Sequence, residues 1–260
     1  MNKLLLIPRA IMDVLSIWNK KLTSKEKSSL TYTLVVLKLK KWLQAENAII
    51  TFPVFGHRWK AVNNEALQFL VKEVFVEKVY QPQSRFSTVA DIGANIGLAT
   101  LYFKMVHPGC QVKAFEPNES SYMLLAENIS ASQFSGVETF NRAVAGTDKV
   151  LYQDAGFALS SINQTFSAVE NAVAVKVVAI KNVLNSFSFD CVKMDIEGME
   201  YEVLAAAVEM DLVQLVPYWM IEFHDAAKTK TIVEAFAGKG FVFTVVQNIY
   251  HFKRSDINNG

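Results

Sequence analysis

The sequence predicts an α/β fold: a mostly parallel seven-stranded sheet with helices on both faces, ending in an antiparallel hairpin. Three observations carry this. Strand-like and helix-like runs alternate from residue 87 to residue 237, as in parallel strands joined by crossover helices. The first of these strands runs into a glycine-rich turn, Asp91-Ile92-Gly93-Ala94-Asn95-Ile96-Gly97. The last two runs, 241–246 and 249–252, flank Gln247-Asn248 and read as a hairpin.

Residues 1–80 form an N-terminal helical extension with a short hairpin. Leu4, Ile7, Ile11, Val14, Leu15 and Trp18 sit at helical spacing over 3–20. Lys20, Lys21, Ser24, Lys25 and Lys27 make a polar break, and a second helix is expected from Ser29 to Gln44. Residues 48–52 and 59–62 look like strands joined through Pro53-Val54-Phe55-Gly56. Glu65 to Tyr80 reads as a helix that Pro82 ends. The main domain spans 81–254, with residues 255–260 as a tail. Its strands are placed at 87–91, 111–116, 137–143, 189–194 and 218–223, before the hairpin. Its helices are placed at 97–106, 118–130, 199–208 and 228–237. Between about 145 and 188 the alternation gives way to a β-rich insert, with Gly146 and Gly156 at turns and Val173–Val178 as its clearest strand.

Hydrophobic residues make up 51% of the 260-residue chain, enough for a sizeable core. The net charge of +1 supplies no global field for nucleic acid, and no basic-aromatic stripe is present. The charge is unevenly spread: residues 1–45 hold nine Lys/Arg against Asp13 and Glu26. Two readings of this basic arm stand. It is a helical cap, which its scattered lysines favour, or an amphipathic contact with the inner face of an anionic membrane. Cys110 and Cys191 fall in apparent core strands and suit a reducing compartment. Leu4–Ile7 is too short to span a bilayer, so a cytoplasmic protein is expected.

Ligands of open α/β sheets bind at the carboxyl ends of strands. The glycine turn brings bare backbone to that edge. Its G-x-N-x-G spacing is not the G-x-G-x-x-G of a dinucleotide site. Asp91, read as the strand tip, repels a pyrophosphate but not an amine and a sulfonium, which favours S-adenosylmethionine over NAD. Glu116 ends the second strand, where a carboxylate accepts hydrogen bonds from ribose hydroxyls. Asn118 can cap the helix that follows. Asp195 and Glu197 end the fourth strand, and Glu222 and His224 end the fifth with their side chains on one side. His224 titrates near neutral pH and can act as a base or simply close a hydrogen bond at the sheet edge. Asp195 and Glu197 are alternative bases, and Glu222 can orient His224 or hold substrate. Glu200 reads as an acid in a first helical turn, suited to the helix dipole. These acids are also metal-type donors, but a cationic sulfonium wants them without a metal, and no metal is expected.

Asp91–Gly97, Phe115-Glu116-Pro117, Val192-Lys193-Met194-Asp195-Ile196-Glu197-Gly198-Met199-Glu200 and Ile221-Glu222-Phe223-His224 resemble four signatures of the FkbM family. Its members are S-adenosylmethionine-dependent methyltransferases of the Rossmann-like class I fold. The resemblance covers about residues 80–254. It implies that Asp91, Gly93, Ala94, Asn95 and Gly97 hold the methionine part of the cofactor, with Glu116 and Pro117 at the ribose. It implies that Asn141, Arg142 and Ala143 lie near adenine and that Asp195 faces the methionine amine or the substrate. The function expected is O-methylation of a sugar or another small-molecule hydroxyl, with a small molecule or glycan as acceptor. A non-catalytic binding module and an NAD-dependent oxidoreductase are the alternatives.

Overall fold

The structure is a computed structural model that describes residues 14–148, 151–154, 162–163 and 172–256. Leu4, Ile7 and Ile11 of the first expected helix, and Gly156 of the insert, lie outside them. The chain divides into two compact units, one of residues up to Val79 with Glu127–Gln133, the other of Tyr80–Ala126 with Phe134 onward.

In the first unit, residues 14–18 are helical and helix α1 spans Ser24–Leu43. It begins five residues before the expected Ser29, because Thr23 and Glu26 form a capping box. Thr23 Oγ1 accepts from Glu26 N at 3.2 Å, and Thr23 N donates to Glu26 Oε2 at 2.7 Å. Ser24, Lys25 and Lys27 of the polar break thus lie in the first turn of the helix, while Lys20 and Lys21 precede it. Leu30, Thr33, Leu34 and Leu37 form its buried face. Strands β1 (Ile49–Val54) and β2 (His57–Val62) pair antiparallel around Phe55-Gly56, whose φ values of 47° and 85° make the tight turn. Pro53 therefore lies within a strand and not in the link, as a two-stranded sheet allows. Helix α2 is Glu65–Phe75, capped by Asn64, and stops short of Tyr80 because Lys78 turns left-handed at φ 54°. Asn128, from the 127–133 segment, binds both Lys60 N and Lys60 O, at 2.7 and 2.9 Å, and so acts like a strand neighbour.

The second unit contains β3 (Thr88–Ile92), α3 (Leu98–Val106), β4 (Gln111–Phe115), the start of α4 (Glu119–Ser132) and β5 (Val137–Phe140). The insert adds β6 (Ala143–Ala145), β7 (Leu151–Asp154), β8 (Ile162–Asn163), β9 (Ala172–Val175), β10 (Val177–Ala179) and α5 (Ile180–Ser186). Strand β11 (Cys191–Met194), α6 (Glu200–Glu209), β12 (Tyr218–Glu222), α7 (Ala226–Gly238) and the hairpin β13 (Phe241–Val246) and β14 (Ile249–Arg254) complete it. The main sheet has seven strands in the order β13-β14-β12-β11-β3-β4-β5. From β12 to β5 the pairs are parallel, and β14 runs antiparallel to both β12 and β13.

This is the expected Rossmann-like α/β sheet, with corrections at the third strand and in the insert. The run 137–143 splits, because the chain turns at Asn141-Arg142 and Ala143 enters a separate parallel pair with β10. The run Val173–Val178 also splits at Lys176: β9 pairs with β7, and β10 pairs with β6. Helix α5, hidden in the β-rich reading, follows directly. Strand β11 starts at Cys191, not at residue 189.

On one face of the sheet, Val192, Met194, Trp219 and Ile221 pack with Val183, Leu204 and Phe236 of the helices. On the other, Tyr218 meets Phe86, which meets Phe103 of α3 in an edge contact at 6.2 Å. Strand order reverses between β3 and β11, so the crevice above their carboxyl ends is where an open α/β sheet holds its ligand.

Candidate functional site

The turn after β3 is shaped by three positive backbone angles, at Gly93 (φ 79°), Asn95 (φ 49°) and Gly97 (φ 90°). Gly97 opens α3. Gly93 has a sharper requirement: a Cβ there would lie 1.8 Å from the Asp195 carbonyl oxygen. The missing side chain serves close approach by the end of β11, in addition to any approach by a ligand. Gly93 N and Ala94 N both donate to Phe115 O, at 3.0 and 2.9 Å, which seats the turn against the end of β4.

Glu116 closes that junction. Its two carboxylate oxygens accept from Asn95 N and Asn118 N, each at 2.8 Å. Burial pushes its carboxyl up to about 7, against the lowering effect of these two N–H groups and of Lys193. Asn118 caps α4 by accepting from Ser121 N at 3.0 Å. The Asn141 side-chain amide donates to the carbonyls of Glu116 and Pro117, at 3.0 Å each. It therefore braces the loop that carries Glu116. Arg142 is exposed, and Ala143 is buried in a small apolar cluster with Ala145, Leu151 and Met199.

Asp91 lies inside β3 and is fully buried, so it is not a free acid at the strand tip. Thr100 Oγ1 donates to its Oδ2 at 2.6 Å, and Lys193 Nζ stands 3.2 Å from its Oδ1. Lys193 also donates to Gly93 O at 2.6 Å, lies 3.9 Å from Asp195 Oδ2 and sits 5.5 Å from the Tyr80 ring centre. Burial works to discharge this lysine, but Asp91 and Asp195 hold its pKa above the ordinary value. One ammonium thus pins the glycine turn to β11. From the sequence alone, Lys193 carried no role. A signal was present: an ionised residue between Val192 and Met194 in a central strand needs a buried partner, and in the parallel register it faces Asp91.

Beyond β11 the chain turns through Glu197 (φ 52°) and Gly198 (φ 99°), both left-handed. Tyr80 Oη donates to Asp195 Oδ2 at 3.5 Å. Glu200, read from sequence as a dipole acid, is fully buried and holds two loops together. Its Oε2 accepts from Gly198 N at 2.8 Å, and its Oε1 accepts from His224 N at 3.2 Å. His224 Nδ1 stands 2.9 Å from the same Oε1.

His224 Nε2 is therefore aimed away from Glu200, 3.5 Å from Glu197 Oε2 and 3.8 Å from Glu222 Oε1. Glu222, at the end of β12, accepts in turn from Asn248 Nδ2. The orienting acid is thus Glu200, while Glu222 flanks the outer nitrogen. The hydrogen bond to Glu200, together with the charges of Glu200, Glu222 and Glu197, pushes His224 up to about 9, so the imidazole carries a proton at neutral pH. Burial and the nearby Asp195 raise Glu197. Asp195, Glu197 and His224 each bring one donor atom within 4.8 Å of the others, close enough for a divalent ion or for the imidazolium proton.

Two other histidines have structural partners. His251 Nδ1 is 2.8 Å from Tyr218 Oη, and His107 caps the end of α3. A cavity of about 240 Å³ lined by Arg85, Phe86, Asp190, Pro217, Tyr218 and Lys253 opens at the amino ends of β11 and β12, opposite the acids.

The family profile described as "Methyltransferase FkbM domain" matches residues 91–243. "Methyltransferase 1" of Beauveria bassiana is 27% identical over 208 residues, covering 69% of this chain and 82% of that protein. "31-O-demethyl-FK506 methyltransferase FkbM" of Streptomyces tacrolimicus is 34% identical over 79 residues, 29% of this chain and 30% of its own length. A crystal structure of a methyltransferase FkbM from Methylobacillus flagellatus KT superposes with a TM-score of 0.48 at 14% identity. The match covers 94% of this chain and 59% of that one.

Proposed function

The chain belongs to the FkbM methyltransferase-domain family, and on that premise we propose that it transfers a methyl group from S-adenosylmethionine to a hydroxyl oxygen of a small molecule or sugar. The observation that carries this reading is the ring of acceptors at the carboxyl ends of β4, β11 and β12. Glu116, Asp195, Glu197 and Glu222 suit a ligand bearing ribose hydroxyls, an amine and a positive sulfur. Asp91 supports the turn through Lys193, which leaves Asp195 as the acid for the amine. Glu116 takes the ribose, and the backbone of Ala94, Asn95 and Gly97 faces the methionine part. Pro117, Asn141 and Arg142 border the adenine end, while Ala143 is buried in its own apolar cluster and does not. The O-methyl reading draws further support from the name of the Streptomyces relative, which acts on an oxygen of its own substrate.

When bound, S-adenosylmethionine supplies an electrophilic methyl on a cationic sulfur. The residues must align the acceptor hydroxyl and take its proton. His224 performs the second task at Nε2, held by Glu200 at Nδ1. In the free protein its proton is stabilised by three carboxylates; beside a sulfonium it is released more readily, and the ring becomes a base. Glu197 and Glu222 flank the acceptor. A proton on Nε2 and a metal on Nε2 exclude each other, and no metal enters this scheme.

Calorimetry with S-adenosylhomocysteine and with NAD tests the cofactor: binding of the first and not the second is expected, and the reverse removes the proposal. Labelled-methyl transfer into a metabolite and glycan extract tests the reaction. His224→Asn should lower turnover by roughly 10²–10⁴-fold while homocysteine-cofactor binding persists. Binding by the wild type with no transfer to any acceptor would leave a binding module instead. Exhaustive dialysis against EDTA should leave turnover within about twofold, since the acid cluster is balanced by His224.

A further inference from the structure

Helix α1 buries Leu30, Leu34 and Leu37 on one side, yet its opposite side is also apolar. Tyr32, Val35, Leu39 and Trp42 follow one another at steps of three and four residues, which aligns them in one stripe along the helix. Leu43 borders it. All five are exposed, Trp42 at 55% and Leu43 at 73%. Contiguous exposed apolar surface of this kind marks an interaction site. At 3.6 residues per turn, Lys38 and Lys40 fall on the two flanks of the stripe, and Lys25 falls at its amino-terminal end.

The charge selects the occupant. Residues 14–45 carry seven lysines and a single acid, Glu26. That acid is tied to Thr23 and to Lys78 at 2.8 Å. We propose that α1 docks its outer face on an anionic lipid surface, with Trp42 and Tyr32 at the headgroup level and the flanking lysines against the phosphates. Aromatic and aliphatic residues on one face with lysines alongside are what an interfacial helix requires. A second copy fits less well, because pairing two such stripes would oppose their lysines. No helix among the described residues is long and apolar enough to cross a membrane, so the contact is one of lying on the surface. The proposal is independent of the methyl-transfer reading.

The test is co-sedimentation of the full chain with phosphatidylcholine vesicles, with and without phosphatidylserine. The protein should pellet only with the anionic vesicles and be released by salt. Leu39→Glu with Trp42→Glu should abolish pelleting while leaving S-adenosylhomocysteine binding and the thermal midpoint unchanged. Lys38→Gln and Lys40→Gln should each weaken partitioning roughly fivefold. Failure to pellet, or pelleting that ignores the stripe substitutions, overturns the proposal. So does a dimer in light scattering that Leu39→Glu with Trp42→Glu dissociates, which would assign the face to a second copy.

Discussion

At the scale of single residues, the site is governed by two groups whose environments displace their protons in the same direction for opposite reasons. Glu116 is pushed up to about 7 chiefly by burial, and His224 up to about 9 by the carboxylates around it. Ribose hydroxyls donate to an ionised carboxylate better than to a neutral acid. Affinity for S-adenosylhomocysteine should therefore rise about tenfold from about pH 6 to about pH 8, as Glu116 ionises through 7. Calorimetry at the two pH values measures this, and Glu116→Gln should bind weakly and show no such rise.

For His224 the folded value lies above the unfolded one. Its stabilising contribution is thus complete below about 6.5 and is lost as pH rises through about 9. Replacing Glu200 with Gln keeps its shape but removes the largest of the forces holding that proton. The rising limb of turnover against pH should move to lower pH in Glu200→Gln, and the fall of thermal midpoint on the alkaline side should shrink. A merely structural Glu200 would lower stability without moving the pH profile.

At the scale of elements, the turns are where a small substitution has its largest effect. Gly93 and Gly198 both have positive φ, at 79° and 99°, but only Gly93 has a backbone oxygen where its Cβ would go. Gly198→Ala should cost about 1 kcal/mol, the conformational penalty alone. Gly93→Ala should cost roughly 3 kcal/mol or more, since the neighbour it strikes is main chain and cannot swing away. Urea unfolding of the two variants compares them directly, and equal losses would show that the contact with Asp195 is not a constraint. The same proximity explains the buried lysine. Once β3 and β11 are brought this close, Asp91 faces Lys193, and neither charge is stable alone.

At the scale of the whole molecule, the two cysteines report on the integrity of the second unit. Cys110 and Cys191 are buried free thiols, both raised above their ordinary pKa chiefly by burial. Neither should react with a thiol reagent in the native protein, and both should react together when the sheet opens. Mass spectrometry of partially labelled samples would show this; a singly labelled native species would mean that the segment around one cysteine, β11 or the turn into β4, opens on its own.

Much of this organisation was legible in the chain itself. The alternation of strand-like runs with helix-length segments gave the parallel strands, because parallel neighbours need a crossover connection. The Asp91–Gly97 and Lys193–Glu200 strings marked the turns at the carboxyl ends of β3 and β11, because tight turns with positive φ restrict residue choice locally. What stayed hidden depended on neighbours distant in sequence. Nothing near Glu200 tells that it anchors His224, twenty-four residues away, nor near Asn141 that it braces the loop of Glu116. The splitting of 137–143 and of Val173–Val178 was equally invisible, since a strand's partner is chosen by the sheet it joins. Local periodicity sets which segments become strands and helices. The protonation of the site, and the partner each polar group finds, are set by burial and distance, and only the folded chain fixes those.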